Sequence, residues 1–319
     1  MDPGFPAGNN SSKSESARLI VLMSMVILAG AGVAIPIINV GLLFLGLVSL
    51  IILMVRFGYA YAALSCLVAL ASSLLFYGVQ LAIGLVLIMI LPGIIMSRKV
   101  RSFSEPQEIV LWGIIPYLLP LALLIIFYPV MMSQMPEIIK QMRNDFLSGG
   151  LILGMGGTEM EQVIQSTQKM LEIMLRLSPG IFLTFFVGFA IFSYMMATRL
   201  GPKFGAVMPS FRPLVEWRAS DIWLIPLGLS LACVLIGGGF LSSIGENLLI
   251  FLVHLYALYG ICLLEFQLRK MPWAGWLRAI IYIMVAVAAV FAIPLLALAG
   301  LIDSRFDFRK IDVQPISSG

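Results

Sequence analysis

Three polar side chains interrupt an otherwise apolar stretch near the C-terminus: Asn247, His254 and Glu265. They are seven and eleven residues apart, so on a helix turning about 100° per residue all three fall within roughly 20° of one line. Glu246 stands beside this stripe at its outer end, and Tyr256 and Tyr259 lie elsewhere on the same helix. A charged group at mid-bilayer costs roughly 2.5–3.5 kcal/mol on insertion scales, so such groups face a bundle interior or a wet cavity. Two readings follow. In one, Glu246, Asn247, His254 and Glu265 line a cavity that binds a small molecule or handles protons. In the other, neutral Asn247 and His254 hydrogen-bond neighbouring helices while Glu265 sits at the cytoplasmic interface beside Arg269.

Other chemistries find no support. With His254 the only histidine, a multi-histidine metal site is impossible, and no H-E-x-x-H motif occurs. No G-x-x-x-x-G-K-[ST] phosphate loop is present, so the chain carries no ATPase of its own. No nucleophile–base pair stands out for an intramembrane hydrolase. The expectation is a protein without catalytic residues, bound metal or cofactor. Cys66, Cys233 and Cys262 all lie in apolar spans without a C-x-x-C pair and read as small buried hydrophobes.

The elements that carry the stripe follow from composition. Hydrophobic residues make up 61% of the chain and charged residues 11%, against roughly 25% charged in soluble domains. Apolar segments of about 20 residues, enough to cross a bilayer core about 30 Å thick, recur from Leu19 to Leu301. Strand-length alternation is absent, and lipid offers no partner to unpaired backbone groups, so the fold is an all-α transmembrane bundle. The spans fall at 19–36, 40–55, 58–77, 80–96, 109–132, 179–198, 222–240, 247–268 and 278–301, about nine in all. This divides the chain into a polar cytoplasmic tail (1–18), an N-terminal bundle (19–132), an insert (133–178), a C-terminal bundle (179–302) and a tail (303–319).

Charge sets the expected orientation. A cytoplasmic N-terminus puts thirteen of the twenty basic residues on the inside, among them Arg56, Arg98, Lys99, Arg101, Arg199 and Arg269, while the turns at Tyr77-Gly78 and Ser242 to Glu246 carry none. An odd span count then places the C-terminus outside. Because the basic residues are spread over many loops, the net charge of +4 does not indicate nucleic acid. The insert has helical periodicity before and after a glycine-rich stretch, with Ile138, Met142 and Phe146 on one face, then Val163, Met170, Leu171 and Met174 after a Thr158–Glu161 capping pattern. It reads as an extracytoplasmic amphipathic helical hairpin that caps the bundle or docks a partner. Gly30 and Ala34 in the first span, and Gly237 to Gly239 in the seventh, give small-residue faces for helix packing. From Asp303 to Lys310 charges and aromatics alternate, the period of an extended interfacial tail.

The stretch from Phe211 to Lys310 carries F-R-P-L-V-E-W-R, D-I-W-L-I-P, the E-N opening of the eighth span, L-Y-A-L-Y-G-I ahead of E-F, and L-I-D-S-R-F-D-F-R-K. In these it resembles the YybS-like family of uncharacterised bacterial membrane proteins, itself distantly similar to the substrate-capture subunits of energy-coupling-factor transporters. The resemblance implies a subunit of the bacterial inner membrane that binds a small molecule, such as a vitamin or metal-related nutrient, and relies on separate coupling and ATPase proteins. Those capture subunits dock their partner through A-x-x-x-A on the first helix, to which Gly30 and Ala34 correspond only loosely. The rival expectation is a non-transporting scaffold or assembly factor that holds a partner membrane protein.

Overall fold

Single glycines set the first helix breaks. Gly58 (φ 96°) separates α2 (Pro36–Phe57) from α3 (Tyr59–Tyr77), and Gly78 (φ 83°) separates α3 from α4 (Val79–Leu85). One residue suffices because glycine takes a positive φ without a Cβ clash. The computed structural model describes residues 8–31, 36–153, 157–271, 275–306 and 308–309. They are almost wholly helical, with no strand among the described residues. Among the described residues eight helical stretches are long and apolar enough to cross a membrane, and two shorter apolar helices accompany them, Asp221–Ile236 and Gly275–Val287.

Two compact units divide the chain differently from the linear expectation: Met1–Ala122 with Phe185–Phe211, and Leu123–Thr184 with Arg212–Gly319. In the first, α2 is the central helix. Leu50, Ile51, Ile52, Leu53 and Met54 are buried in succession, which a helix shows only when it is enclosed on all sides. Around it lie α1 (Gly8–Ala31), α3, the α4–α5 segment, and the end of α8 (Gly157–Leu200). A π-helical turn, Val86–Ile90, joins α4 to α5 (Leu91–Arg101). Pro92 leaves the Ile88 carbonyl without its usual donor, and the hydroxyl of buried Tyr117 supplies one at 3.1 Å. Tyr117 also stacks on Phe186, ring centroids 4.7 Å apart.

Several expectations change here. The first helix begins at Gly8, well before the polar tail ends. Gly30 is buried, and a Cβ there would strike the Ala69 backbone of α3. Its small face is therefore used inside the unit and cannot present a partner surface; Ala34 lies outside the described residues. The helices of the insert are continuous with the spans that flank it. After α6 (Pro106–Ile114) and a 3-10 turn, α7 runs unbroken over Leu118–Leu153 and α8 over 44 residues, so the insert prolongs both. At 1.5 Å per residue α8 measures roughly 66 Å, about twice the bilayer core.

In the second unit, α10 (Phe240–Lys270) packs against α9 (Leu224–Ile236) and α12 (Ala289–Phe306), with α11 (Gly275–Val287) preceding α12. Gly237 to Gly239 form the turn between α9 and α10, Gly239 at φ 55°, rather than a packing face within a span. The close glycine contacts lie elsewhere: a Cβ on Gly260 would collide with the Leu296 carbonyl, and one on Gly300 with the Tyr256 carbonyl. Gly260→Leu should lower the thermal unfolding midpoint in detergent by more than ordinary overpacking, about 1–3 kcal/mol, because backbone has to move. Gly84→Leu, where a Cβ meets nothing within 4 Å, should leave the midpoint unchanged.

Candidate functional site

Pro179 sits inside α8, yet the helix continues through it. Proline has no N–H for the carbonyl four residues back, and its ring crowds that turn. Two side chains complete the backbone. Ser178 Oγ donates to the Leu175 carbonyl at 2.7 Å, the acceptor that Pro179 leaves free. Asn247 of α10 accepts from the Gly180 N–H through Oδ1 at 2.7 Å and donates from Nδ2 to the Arg176 carbonyl at 3.0 Å. In an unbroken helix those two backbone groups would bond to each other. The carboxamide is thus spliced into the i→i−4 ladder, a recognised way to open or bend a helix. The second Nδ2 proton goes to the Ser243 carbonyl at 2.8 Å.

Local sequence explains the close approach. A Cβ on Gly180 would come within 2.5 Å of the Asn247 carbonyl oxygen, so only glycine lets the helices meet at this level. Glu246 Oε2 lies 3.1 Å from Arg176 Nε, an ionic contact without hydrogen-bond alignment. The E-N pair of α10 therefore reads R-L-S-P-G of α8, residues 176–180. The sequence pointed to Glu246 and Asn247 but not to this partner segment. A proline flanked by serine and glycine inside an apolar span was the signal available.

The rest of the stripe does not converge on Asn247. His254 Nδ1 lies 2.8 Å from the Ile250 carbonyl of its own helix. Glu265 accepts from Arg269 Nε at 2.7 Å and from the Tyr282 hydroxyl of α11 at 2.5 Å. Asn247 and Glu265 are 18 residues apart along α10, roughly 27 Å at helical rise, and they serve different neighbours. Both amide protons of Asn247 and both oxygens of Glu265 are engaged within the protein. Among the described residues no three His, Cys, Asp or Glu side chains gather as a metal site.

A second polar cluster escaped the sequence reading. α12 continues to Phe306, so Asp303 and Arg305 are helical rather than part of an extended tail. A turn at 308–309 then brings Arg309 back: its Nε and Nη2 donate to Asp303 Oδ2 at 3.0 and 2.6 Å, with both side chains buried. Arg309 Nη1 donates to the Val215 carbonyl at 2.8 Å, and Arg218 Nη2 donates to the Ser304 carbonyl at 2.7 Å. The period of two was misleading because its two halves belong to a helix end and a turn. Val215 and Arg218 on one side, and Ser304 and Arg309 on the other, far apart in sequence, are held together here.

This cluster also corrects the last span. Cys262 of α10 lies within electrostatic range of Tyr282 and of both Asp303 and Arg309. Tyr282 and Asp303 are 21 residues apart, and a straight helix would separate them by roughly 32 Å. Residues 275–306 instead leave α10 and return to it, with the break between α11 and α12 at Ala288. A single crossing from 278 to 301 is replaced by an out-and-back pair.

Apolar helices of spanning length, polar groups paired within the bundle and widespread exposed leucine, isoleucine and phenylalanine define a multi-pass α-helical membrane protein. The family model described as Predicted membrane protein (DUF2232) matches residues 23–304, and the chain belongs to that family. No curated protein and no solved structure matches it.

Two outcomes test these assignments in detergent-solubilised protein. Asn247→Leu should cost about 1–3 kcal/mol for each backbone group it orphans and speed amide exchange at Gly180. Arg309→Met should cost about 3–5 kcal/mol, because Asp303 is left buried and unpaired, whereas Asp303→Leu with Arg309→Met should recover most of that loss. Thermal unfolding reads both.

Proposed function

We propose that this membrane protein is a non-enzymatic scaffold that holds the extended helices α7 and α8 clear of the bilayer to dock a partner membrane protein. The observation that supports it is the splice at Pro179. Glu246 and Asn247, the polar residues at the outer part of α10, keep α8 continuous where its apolar stretch gives way to Arg176, Glu172 and Lys169. A loop that merely connected two spans would need no such support. Beyond that point Met170, Ile173 and Met174 share one exposed face of α8 at spacings of three and four residues. Apolar surface outside lipid marks a protein contact, and methionine packs adaptably against one.

In this reading no residue is catalytic and no cofactor or metal is needed. The N-terminus is cytoplasmic by the distribution of basic residues. The out-and-back α11–α12 pair supports a C-terminus on that same side, in place of the outward position expected from nine crossings. A rival assignment follows the sequence motifs that resemble those of a family distantly similar to transporter capture subunits, and in it the partners are coupling and ATPase proteins.

Affinity purification from native membranes separates the two. The wild type should retain a membrane partner that Met170→Asp with Met174→Asp releases, with the protein's own abundance unchanged. Recovery of an ATPase and its coupling subunit with both forms would overturn the scaffold in favour of a transporter subunit. Green fluorescent protein fused at the C-terminus should fluoresce, and alkaline phosphatase fused there should be inactive; the reverse pattern would refute a cytoplasmic C-terminus.

A further inference from the structure

The end of α5 is closed by a residue its backbone disfavours. Ser104 N–H donates to the Lys99 carbonyl at 3.2 Å and Phe103 N–H to the Val100 carbonyl at 3.1 Å, the two bonds of a Schellman cap. Glycine normally takes the left-handed position in this cap. Here it is Phe103, at φ 56° the one non-glycine residue with positive φ among the described residues. The conformation sets Cβ against the following carbonyl, and the ring, 90% exposed, gains nothing inside the protein in return. A strained backbone that presents a large apolar side chain to the outside points to an external contact.

The surroundings define that contact. The apolar stretch Val79–Arg101 ends here, so the turn stands where hydrocarbon gives way to water. Lys99 is held by Glu108 at 2.5 Å and lies over the Trp112 ring at 4.6 Å. Arg101 is held by the Met54 carbonyl and lies 4.5 Å from the Tyr59 ring centroid. Arg98 points outward and is exposed. The Met54 bond ties this turn to the end of α2, where Arg56 lies against Gly205. Arg199 and Lys203, both exposed, belong to the same end of the unit.

We infer that the Phe103 turn is a contact site for anionic phospholipid. The ring enters the boundary between acyl chains and headgroups, where aromatic side chains concentrate, while Arg98 and the neighbouring cations meet headgroup phosphates, as juxtamembrane basic residues do. A soluble acidic protein would match the cations, but it would leave unexplained an apolar ring placed at the edge of an apolar span.

The test uses the full-length protein reconstituted in zwitterionic vesicles doped with brominated phosphatidylglycerol or, in a parallel set, brominated phosphatidylcholine. Phe103→Trp should show quenching beyond the wild-type signal from its five tryptophans, at least twofold stronger with the anionic lipid at equal mole fraction. Arg98→Gln in that background should abolish the difference. No added quenching by either lipid would overturn the contact, and equal quenching by both would overturn its preference for anionic headgroups. Phe103→Gly should unfold in detergent at the wild-type temperature or above, since glycine relieves the backbone. A lower midpoint would show that the ring serves the fold and would also overturn the inference.

Discussion

A backbone carbonyl or amide inside a bilayer has no water to fall back on, and much of this structure is organised around groups that prolines and helix ends leave open. Pro92 frees the Ile88 carbonyl and Tyr117 fills it; Pro179 frees the Leu175 carbonyl and Ser178 fills it. Tyr77 donates to the Ala31 carbonyl at the end of α1, and Tyr194 to the Pro209 carbonyl beyond α8. Each donor is a hydroxyl on a side chain already placed by packing. At Pro92 and Pro179 the repair is built beside the proline. Asn247 extends the same logic across two helices, since it replaces a whole i→i−4 bond rather than one half of it.

That constraint also assigns the rare polar residues their work. In water Glu246, Asn247 and Glu265 would compete with solvent for every partner. In lipid each bond they make inside the bundle is strengthened by the low dielectric. Here they engage Arg176, the α8 backbone, Arg269 and Tyr282. The contacts of Glu246 and Asn247 fall on α8, at the turn that Pro179 interrupts. The Asp303–Arg309 pair follows the same rule at the other end of the second unit, where a fully buried charge pair pins a helix end to a loop some ninety residues earlier in the chain.

Much was legible in advance. Composition and the length of the apolar runs required a helical membrane bundle, and Gly58 and Gly78 marked real breaks because few other residues accept positive φ. Asn247 and Glu265 were recognisable as unusual, since polar groups are costly in an apolar helix. Their partners were not, because an asparagine aimed at a ligand and one aimed at a broken helix look alike in one dimension. The alternating residues after Leu301 misled for a related reason: four alternating positions fit a strand, and only the return of Arg309 to Asp303 shows a helix followed by a turn.

The sequence by itself determined the solvent of this protein, and hence its helices, their approximate ends and the scarcity of its charges, because the transfer of side chains into lipid is a local property summed along the chain. The tertiary structure decided that Gly30 serves an internal crossing, that the insert prolongs two spans, that the final apolar stretch goes out and back, and that the polar stripe divides among separate neighbours. Those outcomes depend on which distant segment meets each residue. Hydropathy along the chain carries no information about that.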